Sequence, residues 1–215
     1  TNVHSVSTLD DICWLLNIRG NDIDFFPLVL SYGIITMDSF ELYIDERKLD
    51  DKLKAKLAKD GVNLHPYNDI YEDVKKFDSD VVAMIDPGKL NYALFNNIPE
   101  NVKTVKKRNP AILMKAIKNP VEIENIRKAQ IKDSVAHVRF MKWLKENVGK
   151  MRITEMSASD KLDEFRAEMG KFIRPSFEPI SSFGEHGAIV HYTSSPETDV
   201  ELKEGQLFLT DTGAG

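Results

Sequence analysis

His191 and Asp211 are the residues whose type and setting best suit chemistry. His191 stands with His186 in the run GEHGAIVHY at 184–192, where two glycines allow close backbone approach to a ligand or unusual dihedral angles. An extended run from 188 to 192 would turn its side chains to alternating faces, so that Ile189 and His191 share one face. The alternative is a structural histidine whose imidazole is satisfied by a backbone carbonyl.

Asp211 follows the apolar run LFLT at 207–210 and precedes Thr212 and Gly213. A carboxylate at the end of a buried strand must be paired, hydrogen-bonded or bound to a metal, because an unpaired buried charge is costly. The alternative is an ordinary turn aspartate that accepts backbone N–H bonds. Asp-Thr-Gly also occurs in aspartic proteases, where two such loops share a proton. This chain has no second copy, and its helices fit that fold badly.

The other side chains that could bind a metal or act as nucleophiles give weaker evidence of a functional site. His4, His65 and His137 suit surface or core-edge imidazoles. The single cysteine, Cys13, excludes an intramolecular disulfide and an all-cysteine zinc site.

The composition of the 215 residues is typical of a globular protein, with 42% hydrophobic and 29% charged residues. The net charge of −5 argues against a nucleic-acid partner. No apolar run approaches the roughly 20 residues of a membrane helix, and no signal peptide is visible, so we expect a cytoplasmic protein with no membrane association. The chain starts at Thr1 and stops just after Asp-Thr-Gly, which we interpret as an internal piece of a longer protein.

The first 110 residues predict a compact α/β domain with a mixed sheet, because a hairpin is followed by alternating helices and strands. The predicted elements are a helix capped by Ser7, extended runs at 28–36 and 40–44, a helix at 49–59, a strand at 62–67, a helix at 69–77, a strand at 81–85, a helix at 89–96 and an edge strand at 102–106.

A second region follows a linker at 108–118. Asn119 can cap a helix that has Pro120 in its first position, and Glu122 can complete a capping box. Apolar residues at helical spacing extend this helix to Asn147. Thr154 caps a second helix, and extended runs are predicted at 189–192 and 206–210.

These motifs resemble one known family. The runs at 187–192, 196–198 (PET) and 207–214 (LFLTDTGA) resemble the Xaa-Pro aminopeptidases (aminopeptidase P), which are pita-bread metallopeptidases like prolidase, creatinase and methionine aminopeptidase. The run LDDICWLLNIRGND at 9–22 resembles the start of the middle domain of the three-domain form. KNPVEI at 118–123 resembles the beginning of the catalytic domain.

The resemblance implies an α/β (α+β) fold in which residues 1–115 form a creatinase-N-terminal-like middle domain and residues 116–215 form the first half of a pita-bread catalytic domain. It implies two divalent metal ions, usually Mn²⁺, held by two Asp, one His and two Glu. Asp211 matches the first metal-binding aspartate. His191 matches the catalytic histidine that binds substrate and stabilises the tetrahedral intermediate. The implied substrate is a peptide with proline in the second position, and the implied full-length protein is a homodimer.

The remaining metal ligands of that pattern would lie after Gly215. We therefore expect the 215-residue chain to bind no catalytic metal tightly, to lack peptidase activity and to expose apolar sheet surface. Two alternatives to the aminopeptidase stay open: a non-catalytic interaction module of the same fold, and a prolidase-like dipeptidase. The PET run at 196–198 and the motif around Trp14 favour the aminopeptidase.

Overall fold

The elements of the N-terminal region form one six-stranded sheet. The computed structural model describes all residues from Thr1 to Gly215. The chain divides into two units, one comprising Thr1–Ile23 with Pro27–Lys118 and the other Asn119–Gly215 with Asp24–Phe26. The strands of the first unit are β1 (Val3–Val6), β2 (Ser31–Ile35), β3 (Phe40–Ile44), β4 (Val62–His65), β5 (Val82–Ile85) and β6 (Lys103–Lys106).

The sheet is mixed, with the strand order β4-β3-β2-β1-β5-β6. β2 pairs antiparallel with both β1 and β3, and the pairs β3·β4, β1·β5 and β5·β6 are parallel. The helices are α1 (Leu9–Leu16), α2 (Asp51–Lys59), α3 (Ile70–Asp73), α4 (Tyr92–Asn97) and α5 (Ala111–Ala116). The antiparallel pair β2·β3 confirms the predicted hairpin with its turn at 36–40. The position of β6 at the end of the strand order confirms the predicted edge strand near 102–106.

Alternation along the strands divides the apolar core of the first unit between the two faces of the sheet. Leu42 and Ile44 of β3 belong to a cluster that includes Ile12 of α1 and Leu57 of α2. Tyr43, between them, belongs to a second cluster with the neighbouring 70–74 segment and α4. Both faces of the sheet are therefore covered, as in other α/β folds.

Three local expectations for this unit were wrong. β1 was not predicted, although it lies in the middle of the sheet between β2 and β5. α5 lies inside the stretch expected to be a linker, where the side chain of Asn109 accepts a hydrogen bond from the N–H of Ala111. Ser7 does not cap α1, because its hydroxyl instead donates to the carbonyl of Lys89 at 2.8 Å and Thr8 takes the cap position.

The second unit is built on two helices, α6 (Pro120–Asn147) and α7 (Glu155–Glu168), and a two-stranded antiparallel sheet of β7 (Ile180–Phe183) and β8 (Phe208–Asp211). Capping boxes at Asn119 and Thr154 start the two helices, which confirms both predicted caps. The core of the unit lies where α6, α7 and the sheet meet. Its buried residues are Ala136, Phe140, Ile153, Ala158, Leu162, Phe183 and Leu202.

The predicted extended run at 189–192 is wrong. A 3-10 helix at Gly184–Ala188 continues from β7, and residues 189–191 form a bend and a turn. Gly184 has a left-handed φ of +58°, which lets the chain leave the strand direction directly after Phe183. The strand of this region is instead β7, which the sequence analysis did not predict.

Apolar side chains remain exposed on this unit. They include Ile126, Ile131, Val135, Val138 and Met141 on α6, and Leu207 and Leu209 in or beside β8. The expected exposed apolar sheet surface is therefore present, because β8 has a neighbouring strand on one side only. No helix of the chain combines the length and the apolarity that a membrane span requires.

Candidate active site

Asp211 is the last residue of β8, and its Cα is paired with that of Ile180. Its side chain is exposed and makes no hydrogen bond or ion pair. The expectation of a carboxylate at the end of a buried strand is therefore wrong in one respect, because only Phe208 of this strand is partly buried. An exposed carboxylate at a strand end pays no desolvation cost and is free to meet a ligand.

His191 lies in the turn that follows the 3-10 helix, not on a strand. Its φ of +57° is left-handed, which is unusual for a residue other than glycine. The imidazole is exposed and has no hydrogen-bond partner, so the alternative of a histidine satisfied by a backbone carbonyl is also wrong.

The segments that carry His191 and Asp211 are neighbours, although no hydrogen bond or ion pair joins the two side chains. The N–H of Gly184 donates to the carbonyl of Leu207 at 3.0 Å. A Cβ added at Gly187 would lie 3.9 Å from Cβ of Leu209, two residues before Asp211. The 3-10 helix thus lies against β8 and brings the two segments together.

Glu155 is a buried carboxylate on which three donors converge. Its Oε1 accepts from the N–H of Phe183 at 2.6 Å and from Nδ1 of His186 at 2.9 Å. Its Oε2 accepts from the hydroxyl of Tyr192 at 2.8 Å. The residue has no exposed surface, so these donors replace the water that a carboxylate loses on burial.

Tyr192 and His186 pack on each other beside this carboxylate. Their ring centroids are 4.5 Å apart and the planes are inclined by 27°. Burial raises the pKa of the Tyr192 hydroxyl above its ordinary value, and the adjacent Glu155 carboxylate adds to the rise. The hydroxyl therefore stays protonated and continues to donate to Glu155 at neutral pH.

Arg166 is a buried residue whose guanidinium contacts the segment that carries Asp211. It donates to Asp133 at 2.8 Å, to Asp163 at 3.1 Å and to the hydroxyl of Thr212 at 2.9 Å. Burial raises the pKa of the Asp163 carboxyl, even though the hydrogen bond from Arg166 opposes the rise. Arg166 therefore fixes the residue that directly follows Asp211.

Both buried charges lie on one face of α7. Glu155, Ala158, Leu162 and Arg166 follow the i, i+3, i+7, i+11 spacing of a helix stripe, and all four are buried. The acid stands at the N-terminal end and the base in the last turn, which suits the helix dipole. Neither residue was predicted from the sequence. The sequence signal that could have revealed them is a charged residue on a helix face whose other residues are apolar.

The chain's own side chains do not fit a complete dinuclear metal centre. No three of its His, Cys, Asp and Glu side chains lie together in a group that could hold a metal ion. Asp211 has the hard oxygen donors that Mn²⁺ prefers, but it is part of no group of three such side chains.

The fold is of the α/β class, and comparison with known families assigns it to the creatinase- and prolidase-like metallopeptidases. Residues 1–122 match the family described as Creatinase/Prolidase N-terminal domain, and residues 124–215 match Metallopeptidase family M24. The chain belongs to this creatinase/prolidase family. The family resemblance and the fold class expected from the sequence are thus confirmed.

Relatives with similar sequences are aminopeptidases. Xaa-Pro aminopeptidase 1 of Dictyostelium discoideum is 38% identical over 213 residues, which cover 97% of this chain and 34% of that protein. Xaa-Pro aminopeptidase ApepP of Drosophila melanogaster is 36% identical over 212 residues, with 97% and 35% covered. This chain therefore spans about a third of the length of these curated relatives.

A solved structure with the same fold is the X-prolyl aminopeptidase from Caenorhabditis elegans, described as a cytosolic enzyme with a di-nuclear active site. Its TM-score is 0.93 at 32% identity, over 99% of this chain and 36% of that chain. The prolidase from Pyrococcus furiosus shares the fold with a TM-score of 0.66 at 24% identity, over 99% of this chain and 61% of that chain.

Proposed function

We propose that this chain is part of a dinuclear-metal aminopeptidase that releases the N-terminal residue from peptides with proline in the second position. The observation that carries the proposal is the TM-score of 0.93 at 32% identity to an X-prolyl aminopeptidase over nearly the whole chain. The description of that enzyme as cytosolic supports a cytoplasmic location for this protein.

In this proposal residues 1–115 are the middle domain and residues 116–215 are the first half of the catalytic domain. The division of the chain into units near Lys118 supports that boundary. The complete protein is a homodimer that holds two divalent ions, with Mn²⁺ as the metal. The metal supplies Lewis-acid polarisation of the scissile carbonyl and an activated water.

His191 and Asp211 have distinct roles in the complete enzyme. Asp211 supplies carboxylate oxygens to the metal site, which its exposed and unpaired state permits. His191 donates an N–H to the substrate carbonyl oxygen as negative charge develops there. Its exposed imidazole, which has no partner within the chain, supports that role.

The test is hydrolysis by the longer protein that contains this chain. Substituting His191→Ala should lower kcat/KM for a peptide that begins Xaa-Pro by about 10²–10³-fold, the usual loss when one oxyanion donor is removed. The matched control is His65→Ala in the other unit, which should leave kcat/KM unchanged. An unaltered kcat/KM in the His191 variant would contradict the assigned role.

Substrate length separates the aminopeptidase from the prolidase-like alternative. The proposed enzyme should cleave tripeptides and longer peptides with proline second, whereas a dipeptidase should cleave only Xaa-Pro dipeptides. No hydrolysis of either, with metal supplied, would favour the interaction module.

A further inference from the structure

The segment 184–192, here called the His191 loop, has few connections of its own to the rest of the unit. Two backbone bonds lie inside it, from the N–H of Ile189 to the carbonyl of His186 and from the N–H of Tyr192 to the carbonyl of Ile189. These bonds close local turns. They do not fix where the turns lie against the helices and the sheet.

Beside the bond from the N–H of Gly184 to the carbonyl of Leu207, Glu155 connects this part of the chain to α7 at three places. One donor, Phe183, directly precedes the loop, a second, His186, lies within it, and the third, Tyr192, is its last residue. The carboxylate is fully buried at the start of α7, and its own backbone is fixed by a bond from its N–H to the carbonyl of Val200 at 3.1 Å. One rigid side chain thus holds both ends and the middle of the loop.

The end of the loop determines the conformation of His191. Tyr192 directly follows His191, is 8% exposed and is fixed by its bond to Glu155 and by its stacking on His186. His191 itself has a left-handed backbone, which in a non-glycine residue persists only where the surroundings impose it. His191 is the third residue of the turn closed by the bond from the N–H of Tyr192 to the carbonyl of Ile189, and the anchored Tyr192 side chain holds that turn against the rest of the unit.

Glu155 is not needed to cap α7. The hydroxyl of Thr154 accepts from the N–H of Ser157, and the Ser157 hydroxyl accepts from the N–H of Thr154. The buried carboxylate therefore has no local role in the helix that would explain its desolvation. All of its side-chain bonds go to residues 183–192.

We propose that Glu155 is a positioning residue for His191, whose carboxylate holds the His191 loop in the conformation that presents the imidazole. This assignment rests on the proposed function, in which His191 acts on the substrate. It adds a buried group on α7 that acts through Phe183, His186 and Tyr192 and not by contact with the substrate.

The test measures the loop directly in the 215-residue chain by NMR of backbone and ¹⁵N-labelled histidine. In the unaltered chain, the ¹³C shifts of His191 should mark a left-handed backbone. Glu155→Gln, which keeps the shape but replaces one acceptor oxygen by a donor, should abolish that signature and shift the His186 ring nitrogens. The control Glu164→Gln, an exposed acid on the same helix that pairs with Lys161, should leave both unchanged.

A second variant keeps the test decisive if Glu155→Gln does not fold. Tyr192→Phe retains the ring and its stacking but removes the hydroxyl that donates to Glu155 and also contacts Oγ1 of Thr198 at 3.2 Å, so it should also weaken the left-handed signature at His191. Unchanged His191 shifts in the folded variants would overturn the proposal. Failure of the proposed function would instead be seen as normal hydrolysis by the His191→Ala enzyme, whatever the NMR result.

Discussion

The guanidinium of Arg166 donates a hydrogen bond of 2.9 Å from Nη2 to Oγ1 of Thr212, the residue directly after Asp211. Glu155, at the opposite end of the same helix, binds the loop that carries His191. Each end of α7 therefore carries a buried charged residue that binds the segment of one candidate residue: Glu155 binds the segment of His191, and Arg166 binds the segment of Asp211.

Replacing Arg166 by leucine should destabilise the second unit, because Asp133 and Asp163 would lose the cation between them. Fully buried pairs lose about 3–5 kcal/mol when one partner is removed. The two acid side chains here remain 27% exposed, so we expect about 2–3 kcal/mol. Urea denaturation of the 215-residue chain measures the loss. Lys142→Gln, which removes an exposed pair with Glu146, should cost less than about 0.5 kcal/mol, and an equal loss in both variants would refute the role.

The core residue Leu162 should be more sensitive than any apolar residue at the surface. It is 1% exposed, and Leu162→Ala would leave a cavity that costs about 2–5 kcal/mol. Leu207, at 86% exposure, is the matched control, and its truncation should change the free energy of unfolding by less than about 0.5 kcal/mol. Thermal or urea unfolding of the two variants checks this. Similar losses at both positions would mean that the helix–sheet core is not as described.

Asp11 should make the first unit sensitive to acid. Burial by itself would raise the pKa of this carboxyl, but hydrogen bonds from Lys115, Thr8 and Asn109 outweigh it and hold the pKa below its ordinary value of 3.8. A depressed pKa stabilises the folded state above the unfolded value, and this contribution is lost as the pH falls below 3.8 through the folded value.

The measurement is the free energy of unfolding as a function of pH for the wild type and Asp11→Asn. The variant should be less stable at neutral pH and should show a shallower loss of stability below pH 3.8. Asp38→Asn, at an exposed turn position, should keep the wild-type pH profile. A parallel profile in the Asp11 variant would contradict the assigned linkage.

The isolated chain should show no tight two-ion binding of Mn²⁺, since Asp211 is the one family ligand that we assign within it. Calorimetric titration of the metal-free chain is the measurement, with Asp211→Asn as the comparison. The two proteins should give the same weak heats. A tight site of two ions in the unaltered chain would refute the expectation.

Elements whose stabilising contacts lie between near neighbours in the chain were predictable from the amino-acid sequence. The start of α6 follows from Asn119 and Glu122, which satisfy each other's backbone N–H groups, and from Pro120, whose fixed φ suits the first helical position. The turn between β2 and β3 is local in the same way. The family motifs around His191 and Asp211 could also be recognised from the sequence, because each is a continuous run of residues.

The burial of the charged groups and the conformation around His191 depend on contacts between distant parts of the chain. The donors to Glu155 are 28, 31 and 37 residues away in the chain, and Thr212 is 46 residues from Arg166. The same holds for β1, a four-residue strand whose partners β2 and β5 follow much later. The physical reason is that a buried charge or a short central strand is stable only with partners that local sequence does not contain.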